Sequence, residues 1–515
     1  MLVSNLANVN WFKSKPPKSP ALIFLNKNGG KITYSWEDYK QNAIWAATGL
    51  KDLGVRENDF VAIIPLNLPE SFFVLLGIML IGAIPVPINP QLVREPGLKE
   101  LKSILNDSKP KLFLANYCLE KYLKELSPFP IGLVLTTGKF SDQDKSPSGY
   151  QKRSDLQRLL VMPYTSGTTG GPKGVMLSHG NIIDRVGVIT QVLRVNPKDR
   201  LLSYLSLGHI SELIATFFSQ MKAGYTVYFT EHAIELIEDK KKFKKAFPSI
   251  LQSVKPTVFL AVPKVWQNIR KEIEEKTKHI PFGLGDSGSV RNLLVRLIKN
   301  RLGLNKTRCF ISAGSKIGQD DKNFFASMGI YIDDIYGQTE TGGPLTINGK
   351  ILGDARVYLG EENEILVEGP NVMMGYYKRP KQEGPYHTGD VGTIGQEENI
   401  HYNGRLGDGF KNSQGEFISP GKVEELEEAV RKIDGVEETI VCGADKPYNI
   451  ALVFSSRPSE ELRCKLEAEI TQIGQGMYRI RKILLLNSAE LEFTPTLKIK
   501  KKAMLKKFEK EINEL

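Results

Sequence analysis

A chain of 515 residues with 41% hydrophobic and 25% charged residues has the balance of an ordinary globular protein, long enough for two to four domains around a sizeable core. Its four cysteines, Cys118, Cys309, Cys442 and Cys464, show no C-x-x-C spacing, which argues against a zinc site or a disulfide framework and fits a reducing compartment. Much of the net charge of +11 sits in lysine runs at 238–247 and 498–510 that lack interleaved aromatics, so nucleic acid is not the expected partner.

The first twenty residues lack the positive segment and apolar run of a signal peptide. Residues 61–66 (VAIIPL) read as a buried strand. The apolar run at 72–88 approaches membrane-spanning length, but Gly82, Pro85 and Pro87 interrupt it, so it reads as a buried helix ending near Gly82 and then a short extended segment. Residues 164–174, YTSGTTGGPKG, combine hydroxyl side chains and glycines with a closing lysine. Glycines let backbone N–H groups converge on an anion, the hydroxyls add donors and Lys173 adds charge, so the run reads as a phosphate grip. It is not a Walker A loop, because Pro172 stands where the second glycine belongs and Gly174 where the hydroxyl belongs.

Further along, strand patterns at 257–262 and 309–314 alternate with a helical pattern at 265–276, which argues for α/β layers with largely buried sheets. From Glu364 the texture changes to short strands and turns, a small β unit closing the large region. After Gly404 the order strand, helix (423–433), strand, strand, helix (460–473), strand fits a small α+β domain of about 110 residues. In the last lysine run Leu505, Phe508, Ile512 and Leu515 recur at helical spacing under a basic face. A solvated helix is the default for that face; attraction to anionic phospholipid, as a peripheral membrane contact, or to an acidic carrier is the alternative.

The grip at 164–174 and four later runs, IYGQTETGG (335–343), YHTGDVG (386–392), GRLGDGFKNSQGEFISPGKVEE (404–425) and TPTLKIKKK (494–502), resemble motifs of the adenylate-forming superfamily and occur in its order. That family holds acyl-CoA synthetases, luciferases and peptide-synthetase adenylation domains. The turn at 82–90 is similar to its G-A-x-x-x-P-x-N-P segment, so the resemblance covers nearly the whole chain. It implies an α/β fold: a large AMP-binding domain of layered sheets with a small β unit (1–404), a hinge (405–408) and a small mobile α+β C-terminal domain (409–515).

The resemblance also implies a reaction, in which a carboxylate attacks the α-phosphorus of ATP, pyrophosphate leaves and the acyl group passes to a thiol. Such catalysis is mainly positioning and charge neutralisation. On this likeness Thr165, Ser166, Gly167, Thr168, Thr169 and Gly170 wrap the β,γ-phosphates, Lys173 closes the loop, and Thr165 with Glu340 reaches Mg²⁺. Taken alone, the Thr339-Glu340 pair is a helix start. The segment 312–316, with Gly314, and the pair Tyr336 and Gly337 enclose the adenine, Tyr336 offering a stacking face, and Thr339 joins the nucleotide contacts. Asp390 accepts both ribose hydroxyls, Arg405 adds a ribose or phosphate contact and Lys411 a further one; a turn residue and a surface ion pair are the plain alternatives.

Lys498 matches the family's catalytic lysine, although Thr496 and Leu497 replace the usual Ser-Gly, and Lys500, on the same side of an extended strand, is the reserve. The pivot position, normally Asp or Lys, is Gly407, which permits large backbone changes; after rotation Gln414, Gly415 and Glu416 line the thioester site. The segments 203–213 and 254–269 are similar to stretches of long-chain acyl-CoA synthetases, with Ser206 and Gly208 in place of Pro and Ala. His209 and Glu212 are then acyl-site residues or a helix-start pair, and Trp266 gates an apolar tunnel or is a core tryptophan. The resulting expectation is a cytoplasmic or membrane-peripheral ligase using ATP, Mg²⁺ and CoA on a medium- or long-chain fatty acid. Its rivals are transfer to an acyl carrier protein and a non-catalytic nucleotide-binding module. Chain length and oligomeric state do not follow from the sequence.

Overall fold

In the computed structural model, which describes residues 12, 14–126, 131–134, 155–167, 171–277, 288–380, 383–414, 417–470, 472–493 and 499–515, the run of near membrane-spanning length forms helix Pro69–Leu80 and strand Ile84–Pro87. Pro69 opens the helix, where a missing N–H is harmless, and Gly82 at φ 74° ends it. Every residue of the helix except Glu70 is buried, as befits a helix apolar all round. Gly77 admits the backbone of helix Trp36–Asp52, since a Cβ there would lie 2.9 Å from the Ala47 nitrogen. Among the described residues no helix is long and apolar enough to cross a membrane.

Packing divides the chain into one unit of 1–356 with 368–385 and another of 357–367 with 386–515. The first unit is built on layered sheets. One is wholly parallel, in the order Ile84–Pro87, Phe60–Ile64, Leu112–Asn116, Ile131–Val134. A second sets Arg200–Leu202, Thr226–Thr230 and Pro20–Leu25 parallel and ends on the hairpin strand Lys31–Ser35. In the third, Val258–Ala261, Cys309–Ala313 and Ile332–Gln338 are parallel and Gly343–Ile347 returns antiparallel. The fourth holds the glycine-rich hairpin.

In the second unit, Arg356–Leu359, Glu364–Glu368, Tyr386–Ile394 and Ile400–Arg405 form a sheet in that order. This is the β unit read from the change of texture after Glu364, and its packing partner is the C-terminal region. Helix Pro420–Arg431 lies so close to the strand Ile400–Arg405 that a Cβ on Gly404 would fall 2.7 Å from the Pro420 Cβ. The turn Leu406–Asp408, with Gly407, thus lies inside this unit.

The rest of the second unit sits around the sheet Glu438–Cys442, Asn449–Ser455, Ile480–Asn487. Strand Asn449–Ser455 is buried at every position because both faces are covered. Ala451 and Val453 join Val423, Leu426 and Leu466 of helices Pro420–Arg431 and Glu460–Ile470, while Ile450, Leu452 and Phe454 meet Met504 and Phe508. The apolar stripe of the last lysine run is therefore spent on the sheet, and Lys502, Lys506, Lys507 and Lys510 are left exposed. That run forms two helices, Lys501–Lys507 and Glu509–Glu514, parted at Phe508. Lys500, expected on an extended strand, instead precedes the first of them.

Candidate active site

The glycine-rich run is an antiparallel hairpin in which Tyr164–Gly167 pairs with Gly171–Ser178 in the register Thr165↔Lys173, Ser166↔Pro172, Gly167↔Gly171. Thr168, Thr169, Gly170 and the side chain of Ser166 lie outside the described residues. Thr165 and Lys173 stand directly opposite each other, so their side chains share one face. At the base, the Tyr164 hydroxyl donates to Asp107 Oδ2 at 2.6 Å, and strand Gly375–Tyr376 adds to the edge of Gly171–Ser178.

Glu340 reaches the hairpin from the turn after strand Ile332–Gln338. Its carboxylate, 8% exposed, accepts the Thr165 hydroxyl at 3.2 Å and the Tyr376 hydroxyl at 2.9 Å, both on Oε1. Lys173 Nζ stands 5.1 Å from the centroid of the Tyr376 ring. Thr339 and Glu340 start no helix. The Thr341 hydroxyl accepts the Gln338 N–H at 3.0 Å and lies 3.0 Å from the Gly343 carbonyl, turning the chain back into Gly343–Ile347. Gly337 is required by this turn, because a Cβ there would fall 2.0 Å from the Gly343 oxygen. Ala313 is in parallel register with Ile335, so Gly314, at φ 90°, comes beside Tyr336 where strand Cys309–Ala313 ends.

Helix His179–Val192, which follows the hairpin, braces both segments. Ser178 and Asn181 form a capping box at its start. The Asn181 amide also donates to the carbonyls of Pro370 and Val372 at 2.8 Å each. One turn on, Arg185, 1% exposed, donates to the carbonyls of Pro344 at 2.9 Å and Leu352 at 3.2 Å. Sequence reasoning missed Tyr376, Asn181 and Arg185, and no motif marks them.

In the second unit Asp390 and Arg405 face each other across paired strands. Arg405 Nε lies 3.0 Å from Asp390 Oδ1 and its Nη1 donates to the Thr388 carbonyl at 3.2 Å; Asp390 is 2% exposed. Gly407 follows two residues later, next to Lys502. Lys411 is exposed on the short strand Phe410–Lys411, and the Gln414 N–H donates to Asn412 Oδ1 at 3.0 Å. Gly415, Glu416 and Lys498 lie outside the described residues. The segment holding Lys498 is bracketed by a bridge between Phe493 and Ile499 and by the Lys500 N–H donating to the Glu492 carbonyl at 2.9 Å.

His209 is the residue before the short helix Ile210–Glu212, and its Nε2 lies 3.2 Å from Asn89 Nδ2, joining the 82–90 turn to the 203–213 segment. Gly208 makes the approach feasible, for a Cβ would fall 2.6 Å from the Asn89 nitrogen. Glu212, 1% exposed, accepts the Ser203 hydroxyl at 2.7 Å and the Thr216 hydroxyl at 3.2 Å, and burial pushes its carboxyl up to about 8. Trp266 has the surroundings of a core residue: its indole N–H donates to the Ile311 carbonyl at 3.3 Å, and Phe259 and Phe325 pack edge-on at 5.2 Å. A gating motion would have to open that packing.

Residues 9–377 match the AMP-binding enzyme family and residues 411–515 the AMP-binding enzyme C-terminal domain. The chain belongs to the AMP-binding enzyme family. It is 26% identical over 536 residues to the long-chain-fatty-acid–CoA ligase ACSBG2 of Mus musculus, covering 88% of this chain and 78% of that protein. Solved structures share its fold. The adenylation domain of a carboxylate reductase from Mycobacterium chelonae superposes with a TM-score of 0.76 at 16% identity, over 100% of this chain and 91% of that one. ATP-bound MatB from Rhodopseudomonas palustris gives 0.75 at 21% identity, over 99% of each chain.

Proposed function

We propose that this enzyme is an ATP-dependent acid–thiol ligase that activates a medium- or long-chain fatty acid as its acyl-adenylate and transfers the acyl group to CoA. The observation that carries the reading is the meeting of Thr165, Lys173 and Glu340, with Thr165 and Glu340 joined across 175 residues of sequence beside a glycine-rich hairpin. Relatives named long-chain-fatty-acid–CoA ligases support the acid class and the thiol.

The fatty carboxylate attacks the α-phosphorus, and pyrophosphate departs. Hairpin N–H groups and Lys173 hold the leaving phosphates. The Thr165 hydroxyl and the Glu340 carboxylate are the hard oxygen donors that suit Mg²⁺, which binds through one or two protein groups plus substrate phosphates. When bound, that ion neutralises phosphate charge. Gly314, Tyr336 and Gly337 flank the adenine, and Thr339 joins the nucleotide contacts. The Asp390 carboxylate, steadied by Arg405, accepts the ribose hydroxyls, and Lys411 adds a cationic contact. Lys498 bridges the carboxylate and the α-phosphate. A pivot at Gly407 then admits the thiol, whose sulfur attacks the acyl carbonyl and displaces AMP.

The test is pyrophosphate release by the full chain across straight-chain acids from acetate to hexadecanoate, with CoA, with a holo acyl carrier protein and with neither. Burial of about 0.8 kcal/mol per methylene should lower the KM by several orders of magnitude from acetate to the long acids, with acyl-CoA as product. Equal use of acetate and hexadecanoate overturns the acid class. Transfer to the carrier but not to CoA overturns the acceptor, and ATP binding without pyrophosphate release overturns the ligase.

A further inference from the structure

Tyr376 touches two of the groups assigned above to nucleotide chemistry. Its hydroxyl donates to Glu340 Oε1 at 2.9 Å, the oxygen that also takes the Thr165 hydroxyl, and its ring lies under Lys173 with Nζ 5.1 Å from the centroid. The backbone fixes where hydroxyl and ring stand. Tyr376 pairs with Val175 in the hairpin's outgoing strand, the Met374 N–H donates to the Met176 carbonyl at 2.9 Å and the Tyr377 N–H to the Gly174 carbonyl at 2.8 Å. On the other side the Met373 N–H donates to the Glu340 carbonyl at 2.9 Å. Segment 373–377 is thus sewn to both the hairpin and the Glu340 turn.

This arrangement has a chemical logic. Two hydroxyl donors on one carboxylate oxygen fix the rotation of the carboxylate about its last bond. A ring face holds an ammonium in place without neutralising it, whereas a carboxylate partner would compete with phosphate. We propose that Tyr376 is a positioning residue of the nucleotide site: its hydroxyl sets the Glu340 carboxylate for Mg²⁺, and its ring sets the Lys173 ammonium for the phosphates. The inference rests on the ligase reading.

The experiment titrates ATP calorimetrically into the full chain, with Mg²⁺ and with EDTA, for the wild type, Tyr376→Phe and Tyr376→Leu. Tyr376→Phe removes only the hydroxyl. It should leave Mg²⁺-free ATP affinity within about twofold and raise the Mg²⁺ concentration at half-effect by about 10-fold or more, the usual cost of removing a partner of a metal-binding ligand. Tyr376→Leu removes the ring as well and should also weaken Mg²⁺-free binding, by about 3–10-fold. A merely structural tyrosine would lower both affinities together, and that result overturns the proposal. So does a wild-type Mg²⁺ dependence in Tyr376→Phe, whether or not Tyr376→Leu folds. If the wild type itself shows no Mg²⁺-dependent ATP binding, the ligase reading falls; if it binds Mg²⁺ and ATP normally and Tyr376→Phe matches it, only the positioning role falls.

Discussion

The Lys501 ammonium lies 2.7 and 2.9 Å from the two carboxylate oxygens of Glu427, a residue only 3% exposed. Burial pushes the Glu427 carboxyl up, and Lys501 opposes the rise. The same carboxylate accepts the Val441 N–H at 3.1 Å, so one side chain ties helix Pro420–Arg431, strand Glu438–Cys442 and helix Lys501–Lys507 together. Lys501 comes three residues after Lys498, which makes the pair the anchor of the segment proposed to carry the catalytic lysine.

Lys501→Met leaves a buried carboxylate without its cation, at a cost of about 3 kcal/mol that a urea melt of the second unit would register. Pyrophosphate release should drop about 10-fold or more, while conversion of supplied acyl-AMP to acyl-CoA is spared. Equal loss of both half-reactions would reduce the pair to a structural tie.

Lys498→Ala and Gly407→Pro should separate the same two steps in opposite directions. On the proposed reaction the lysine's charge acts when pyrophosphate departs, so its loss should abolish acyl-AMP formation and leave thioester formation from acyl-AMP largely intact. Proline at 407 locks φ near about −65° and should block the second step. Parallel loss of both steps in each folded variant would rule out a pivot there.

Gly337→Ala is expected to cripple the site, because its Cβ would fall 2.0 Å from the Gly343 oxygen and the Glu340 turn must move. A displacement of about 1 Å typically costs on the order of 10²-fold in rate. Gly49→Ala is the control: it lies within helix Trp36–Asp52, a Cβ there meets nothing within 4 Å, and stability should rise by about 0.5–1 kcal/mol. Steady-state kcat and a thermal melt of each variant decide the point; full activity in Gly337→Ala would contradict the described turn.

Glu212 predicts a pH dependence of stability. Its carboxyl titrates at about 8 in the folded protein, against about 4.3 unfolded, so between those values the folded state holds a proton that the unfolded state has released. Its contribution is complete below about 4.3 and falls by up to about 1.4 kcal/mol per pH unit as the pH rises toward 8. Denaturant midpoints from pH 5 to 9 should decline more gently in Glu212→Gln than in the wild type. Identical slopes would show that Glu212 does not carry the effect.

What the sequence revealed depended on how local each signal is. Proline and glycine at 82–87 were enough to end the apolar helix, whereas the contiguous run at 164–174 reads locally as a phosphate grip and gives no sign of the antiparallel pairing of Tyr164–Gly167 with Gly171–Ser178. Glu340 needed the family resemblance, since its partner Thr165 is 175 residues away; read locally, Thr339-Glu340 resembles a helix start that the Thr341 hydrogen bonds forbid. Lys500 departs from strand geometry because Met504 and Phe508 draw a helix onto the sheet behind it. Trp266 is compatible with two roles in sequence alone, and the packing of Phe259 and Phe325 against it favours the core. Asn181 and Arg185 were invisible because they bond main-chain carbonyls, which any sequence supplies.

The pairing of Gly375 with Met176 joins residues about 200 positions apart, and this has a meaning during biosynthesis. At roughly 5–20 residues per second, the ribosome delivers the partner strand about 10–40 s after the hairpin has emerged. Throughout that interval one edge of Gly171–Ser178 is a bare template, the kind of surface that recruits a neighbouring nascent chain. A product released before residue 373 would carry the glycine-rich motif intact and still lack Tyr376. On the positioning role proposed for Tyr376, such a fragment would hold ATP and Mg²⁺ more weakly than the full chain despite its complete motif.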